Sequence, residues 1–202
     1  MSEKGSAKKA RGKDRRVERT RNALGDALIA LMQERPFADI TVKEVLRRAR
    51  VGRSAFYTHF RNKEDLFLSD VDDFFGMMAG FLESRRDTSL RVAPLEEMLA
   101  HVRDMRELLR AVADSGKIYD VMELGEAHFA RGIERRLKVM APALELPPGS
   151  RALVARALAA SFIALTMGWI RGGMRESPAE LDRLFHALAW RGVAGIRESR
   201  KA

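Results

Sequence analysis

Apolar residues recur at helical spacing along almost the whole of this 202-residue sequence, and β-branched runs are few. From Arg16 to Glu34 they fall at Val17, Ala23, Leu24, Ala27, Leu28, Leu31 and Met32, one face of a single helix. Arg35-Pro36 ends it, because a residue before proline is disfavoured in the α region. The same pattern predicts helices over Val42–Arg48, Arg53 to about Phe60, Lys63 to about Ser84, 95–113, Lys117–Met140, Arg151–Met174 and Pro178–Arg197. Pro94 suits a first helical turn, and Ser177 caps the last helix. Pro142 and Pro147-Pro148-Gly149-Ser150 punctuate a loop. The expected fold class is all-α, with about nine helices and enough chain for a real core.

Composition closes several routes. There is no cysteine, which excludes a disulfide scaffold, a Cys-ligated metal and a thiol nucleophile, and fits a reducing cytoplasm. The longest uncharged run, Ala157 to Ile170, has 14 residues, short of the roughly 18–20 a spanning helix needs. It reads as a core or interface helix, and no membrane partner is expected. The N-terminus has no apolar run like a secretion signal.

The net charge of +9 is concentrated at one end. Residues 1–65 hold 17 Lys and Arg against nine Asp and Glu, an excess of +8. A local excess is an electrostatic footprint for a polyanion. Residues 1–14 read as a basic, disordered arm, with Arg15 and Arg16 at its end. Thr41-Val42-Lys43-Glu44 is a capping box, and Ile40 and Val45 are placed as a hydrophobic staple. Two short helices joined by the turn 49–52 then form a helix-turn-helix. The second is the recognition helix. Arg53, Ser54, Ala55 and Thr58 are expected to reach base edges. Phe56 and Phe60, four apart, anchor the opposite face. Thr41, Tyr57, His59 and Lys63 are expected at phosphates, Lys63 as a clamp at a helix start.

Phe37-Ala38-Asp39-Ile40-Thr41-Val42-Lys43-Glu44-Val45 and Val51-Gly52-Arg53-Ser54-Ala55-Phe56-Tyr57-Thr58-His59-Phe60-Arg61-Asn62-Lys63-Glu64-Asp65-Leu66 resemble the DNA-binding domain of TetR-family transcriptional regulators. The likeness is close over residues 17–67. Trp169-Ile170-Arg171-Gly172-Gly173-Met174-Arg175-Glu176-Ser177-Pro178, followed by Leu181 and Leu184, is similar to the end of a common regulatory domain in that family. Arg50 stands where the family often has Gly, and Gly52 where it often has Ser or Thr. The resemblance implies a DNA-binding domain over 15–62 and a helical ligand-binding and dimerisation domain over 63–202. It implies a cytoplasmic, nucleoid-associated homodimeric repressor on double-stranded DNA, bound to a palindromic operator and released by a small-molecule effector. No cofactor or metal is implied.

In the family the last two helices pair with those of a second copy. Ala157, Ala160, Ala164 and Gly168 form a small-residue stripe suited to that role, and Leu181, Leu184, Phe185, Leu188, Gly192, Val193 and Ile196 an apolar face. Phe74, Met77, Met78, Phe81, Met98, Met105, Met122, Phe129, Phe162 and Met167 are candidate pocket walls, with His101, Tyr119, His128 and Thr166 as polar contacts. Apolar residues at such spacing also serve as plain core. The sequence has no nucleophile elbow, P-loop, dinucleotide fingerprint or His pair at metal spacing, so no enzyme is expected. The alternative is a helical dimer that binds ligand or protein without reading DNA.

Overall fold

A computed structural model describes residues 3–140 and 149–198. Among them are ten α-helices and no strand. They are α1 (Glu3–Glu34), α2 (Val42–Ala49), α3 (Arg53–Tyr57), α4 (Lys63–Ala79), α5 (Phe81–Ser84), α6 (Leu95–Asp104), α7 (Arg106–Asp114), α8 (Ile118–Met140), α9 (Ser150–Arg171) and α10 (Pro178–Glu198). A 3-10 turn, Phe37–Asp39, lies between α1 and α2. The chain forms two units, Met1–Asp70 with Glu107–Ile118, and Val71–Arg106 with Tyr119–Ala202.

Several helix limits differ from the sequence expectation, among them α3, which ends at Tyr57 and not near Phe60, and α9, which ends at Arg171 and not at Met174. Backbone helix reaches back to Glu3, across the segment read as a disordered arm. The Lys, Arg and Ala that made it look like a tail are also strong helix formers. The expected helix to Ser84 divides at Gly80 (φ −93°, ψ 0°), and the expected helix over 95–113 divides at Met105 (φ −103°, ψ 28°). Pro142 and Pro147-Pro148 lie outside the described residues.

In the first unit, α1 packs against α2 and buries Leu24, Ala27, Leu28, Leu31 and Met32. Phe37, Ile40, Val45, Phe56, Phe60, Leu66 and Phe67 complete that core. Apart from Ala27, each such side chain contributes about 1.5–3 kcal/mol by leaving water.

In the second unit a ladder of rings links four helices. Phe75 meets Phe129 at 5.8 Å, Phe129 meets Phe162 at 4.1 Å, and Phe162 meets Phe185 at 5.9 Å. The buried stripe of α4 and α5 is Phe75, Met78 and Leu82; of the expected Phe74, Met77, Met78 and Phe81 only Met78 is buried, and the others lie one position before the buried residues. Both stripes are apolar, so periodicity alone left the phase open. Gly132 of α8 lies against α4, where an added Cβ would stand 2.7 Å from the Ala79 carbonyl oxygen.

The segment 85–94 is irregular but tightly held. Buried Arg136 donates to the carbonyls of Asp87, Ser89 and Arg91 at 2.8–3.1 Å. Arg91 in turn grips Glu97 and Asp182. Asp182 also accepts the Glu96 backbone N–H at 3.1 Å, capping α6 from α10. Burial opposes ionisation of Asp182, yet hydrogen bonds from His186 and Arg91 outweigh it and hold the carboxyl below its ordinary range.

Candidate nucleic-acid interface

The α2 N-terminus is fixed by the expected capping box. Glu44 N–H donates to Thr41 Oγ1 at 3.4 Å, and Thr41 N–H donates to Glu44 Oε2 at 2.9 Å. Arg35 also pairs with Glu44 at 2.9 Å. The Thr41 backbone bond, then the Thr41 hydroxyl, with Arg35 adding to them, pull the Glu44 carboxyl down to about 2. Ile40 and Val45 are both buried, as a staple requires.

The α2 C-terminus closes on Arg50. Its backbone is left-handed (φ 56°, ψ 38°), its N–H donates to Arg47 O at 3.4 Å, and Val51 N–H donates to Leu46 O at 3.1 Å. These two bonds make a Schellman turn, whose left-handed residue is usually Gly. An arginine there costs about 1 kcal/mol. Gly52 then caps α3 in an extended conformation (φ −73°, ψ 150°) with no side-chain bond. Both departures from the family pattern are therefore accommodated.

α3 is two-faced. Phe56 is buried, and Phe60 just beyond the helix packs on it at 5.7 Å. Arg53, Ser54 and Thr58 are exposed, Tyr57 is 49% exposed, and Ala55 and His59 are half-buried. Arg53 lies over the Tyr57 ring at 5.7 Å, which leaves its donors free. The Thr58 hydroxyl donates to Ser54 O at 2.9 Å and keeps its lone pairs. Thr41 is exposed beside this helix pair in sequence, and Arg15 and Arg16 are exposed on α1.

Lys63 departs from expectation. Its ammonium donates to the carbonyls of Phe37 (2.6 Å), Ala38 (3.1 Å) and Ile40 (2.8 Å), and stands 4.6 Å from the Phe37 ring centre. An ammonium has three donors, and here all three are engaged. Lys63 ties α4 to the 3-10 turn instead of offering a phosphate clamp. Arg48 and Arg61 are likewise occupied, by Glu34 and Asp65. Lys43 and Arg47, one turn apart on α2, are exposed and have no ion-pair partner among the described residues, and the sequence reading did not single them out. Their i, i+4 spacing without a matching acid was the available signal.

In the second unit, the expected interface residues Ala157, Ala160, Ala164, Gly168 and Gly192 are exposed, with Leu184 49% and Leu188 59% exposed. Leu181 is half-buried, while Phe185 is buried in the ring ladder. Ala164, Gly168, Leu181, Phe185 and Leu188 line a groove of about 610 Å³ between α9 and α10. Val193 is buried, and the Ile196 side chain lies outside the described residues. By length and composition α9 is apolar enough to cross a membrane, with a mean hydropathy of 1.7, and only 33% of its apolar window is buried within the chain. The sequence reading, which counted only the uncharged run, placed it short of that threshold.

The expected ligand walls are scattered. Met77 is 62% and Tyr119 79% exposed, and His101 is exposed although one ring face stacks on Phe74 at 4.6 Å. Burial of that face lowers the His101 pKa. Phe129 and Phe162 are core rings, and Met78, Met98 and Thr166 are buried. Phe74, Phe81, Met105, Met122, His128 and Met167 are half-buried. A cleft of about 570 Å³ between α8 and α9 takes only Met122 from this set. His128 is engaged by Asp72 at 2.7 Å, and Thr166 donates to Phe162 O.

Residues 24–69 match the family described as bacterial regulatory proteins, tetR family. A regulator of Bacillus subtilis strain 168, the uncharacterized HTH-type transcriptional regulator YxbF, is 40% identical over 63 residues. That match covers 31% of this chain but only 17% of the relative's length. A TetR transcriptional regulator from Streptococcus agalactiae 2603V is 25% identical, with a TM-score of 0.55 over 89% of this chain and 98% of its own. The dihydroxyacetone kinase operon activator DhaS shares the fold, with a TM-score of 0.65 and 17% identity over 87% of this chain and 96% of its own. Residues 24–69 thus carry the N-terminal DNA-binding domain described for the tetR family, and the fold along most of the chain is similar to that of a TetR transcriptional regulator.

Proposed function

We propose that this chain is a homodimeric repressor that holds a palindromic operator and leaves it when a small molecule enters the second unit. The observation that carries the reading is α3, with Phe56 fixed in the core and Arg53, Ser54 and Thr58 presented to solvent. Arg53 is assigned to guanine O6 and N7, which a guanidinium bonds bidentately. Ser54, Ala55 and Thr58 read neighbouring base edges. Thr41, Tyr57 and His59 take phosphates, and Arg15 and Arg16 extend the contact along the duplex. Lys63 acts behind them by holding the 3-10 turn.

One α3 spans only a few base pairs, so a second copy is needed roughly 34 Å away. The small-residue stripe of α9 and the exposed Leu184 and Leu188 of α10 are the surface for it. A helix as apolar as α9 needs such a cover in water. The protein then works in the cytoplasm, on the nucleoid.

The test is selection of binding fragments from random double-stranded DNA at near-physiological salt. The expected product is an inverted repeat, and Arg53→Ala costs about 1–3 kcal/mol on it while relaxing one position. Salt-sensitive binding with no enriched sequence would overturn the reading and leave a helical dimer without specific recognition.

A further inference from the structure

We propose that Arg50 is a DNA-phosphate contact kept at the expense of backbone strain. This rests on the DNA-binding reading above. Arg50 occupies the left-handed position of the turn between α2 and α3, where glycine is free of the Cβ clash and arginine is not. Its side chain is exposed and has no hydrogen-bond or ion-pair partner among the described residues. Other cations of the first unit are tied down: Arg35 by Glu44, Arg48 by Glu34, Arg61 by Asp65 and Lys63 by three carbonyls. Arg50 instead continues, along the sequence, a run of cations without an acidic partner among the described residues, Lys43 and Arg47 before it and Arg53 after it. In a helix-turn-helix the first helix crosses the duplex backbone, and Arg50 ends that helix, so phosphate is the matching partner. A strained residue with a free guanidinium, where glycine would fit better, points to a role outside folding.

The molecule supplies its own control. Arg86 is also exposed, left-handed (φ 51°) and at the end of a helix, but it belongs to the second unit. Arg50→Gly and Arg86→Gly therefore remove the same charge and relieve the same conformation at two places.

The experiment measures binding to the selected inverted repeat and to a mixed-sequence duplex across a salt series, with thermal unfolding alongside. Arg50→Gly is expected to raise Tm by about 2–4 °C. It is expected to weaken both duplexes about tenfold, and to lower the slope of log K against log salt by about 0.9 per protomer. Arg50→Lys should keep the slope. Arg86→Gly should raise Tm similarly and leave DNA binding unchanged. If wild-type protein binds and Arg50→Gly keeps its affinity and slope, the contact is wrong while DNA reading stands. If Arg86→Gly weakens DNA as much as Arg50→Gly, only net charge is at work and the contact is again wrong. Wild-type protein that binds neither duplex overturns both readings.

Discussion

In the first unit, α2 and α3 have eight and five residues, too short to persist alone; both ends of α2 are closed by local devices, and α3 is held by its aromatic face. Thr41 and Glu44 close the start of α2, the Arg50 turn closes its end, and Phe56 with Phe60 nails α3 to the core. In the second unit, α8, α9 and α10 have 23, 22 and 21 residues, and their order comes from burial. Its buried Arg136 and Asp182, with the half-buried Arg91, hold irregular chain rather than helix ends alone. Short helices need chemistry that sits next to them in sequence. Long ones can be placed by groups far away in the chain.

The sharpest way to break this contrast is Phe56→Ala. Removing a fully buried ring costs about 3–5 kcal/mol. Because α3 has few other anchors, binding to the selected duplex should vanish even where circular dichroism still reports helical α8–α10. Retained binding would mean that α3 is held by something other than its aromatic face. Arg136→Met is next. It leaves the carbonyls of Asp87, Ser89 and Arg91 without their donor, for a loss of about 3 kcal/mol and about 6–12 °C in Tm. DNA affinity measured well below that Tm should be unchanged. A fall in affinity with no fall in Tm would show that the 85–94 segment serves the DNA-binding unit directly.

This contrast also explains what could be read in advance. The capping box, the turn, the exposed face of α3 and its aromatic anchors are all signals between near neighbours, and the structure places them as the pattern indicates. Lys63 was legible as a cation at a helix start but not as a donor to Phe37, Ala38 and Ile40, because those bonds span 23 to 26 residues. The phase of α4 was lost because Phe74 and Phe75 are equally apolar. The ring of Phe129 and the Gly125 backbone, both far along the chain, are what Phe75 packs against. Arg136 carries no local mark at all, since its partners lie 45 to 49 residues away.

Leu188→Glu tests whether the exposed face of the second unit is a working surface. A carboxylate placed at the centre of the proposed interface should cost about 2 kcal/mol, roughly thirtyfold in dimer dissociation. Sedimentation should show a monomer that still unfolds near the wild-type temperature, and the inverted repeat should be bound far more weakly. An unchanged dimer would move the interface off the groove between α9 and α10.

The smallest effect compares one device used in both units. Ser177 and Glu180 open α10 with a capping box of the same form: Ser177 N–H donates to Glu180 Oε2 at 2.9 Å, and Glu180 N–H to Ser177 Oγ at 3.3 Å. The hydroxyl and backbone of Ser177 lower the Glu180 pKa. Glu44 has the same bonds from Thr41, backbone first, and Arg35 at 2.9 Å in addition, and falls to about 2. In the unfolded chain each carboxyl returns to its ordinary value near 4.5. As pH drops below that value the unfolded state takes up the proton first, so stability is complete above about 4.5 and drains away toward 2. Urea midpoints between pH 5 and 2 should therefore fall less steeply in Glu44→Gln than in wild type, and Glu180→Gln should flatten the profile by a smaller amount. Equal flattening in the two variants would show that Arg35 adds nothing to the box in the first unit.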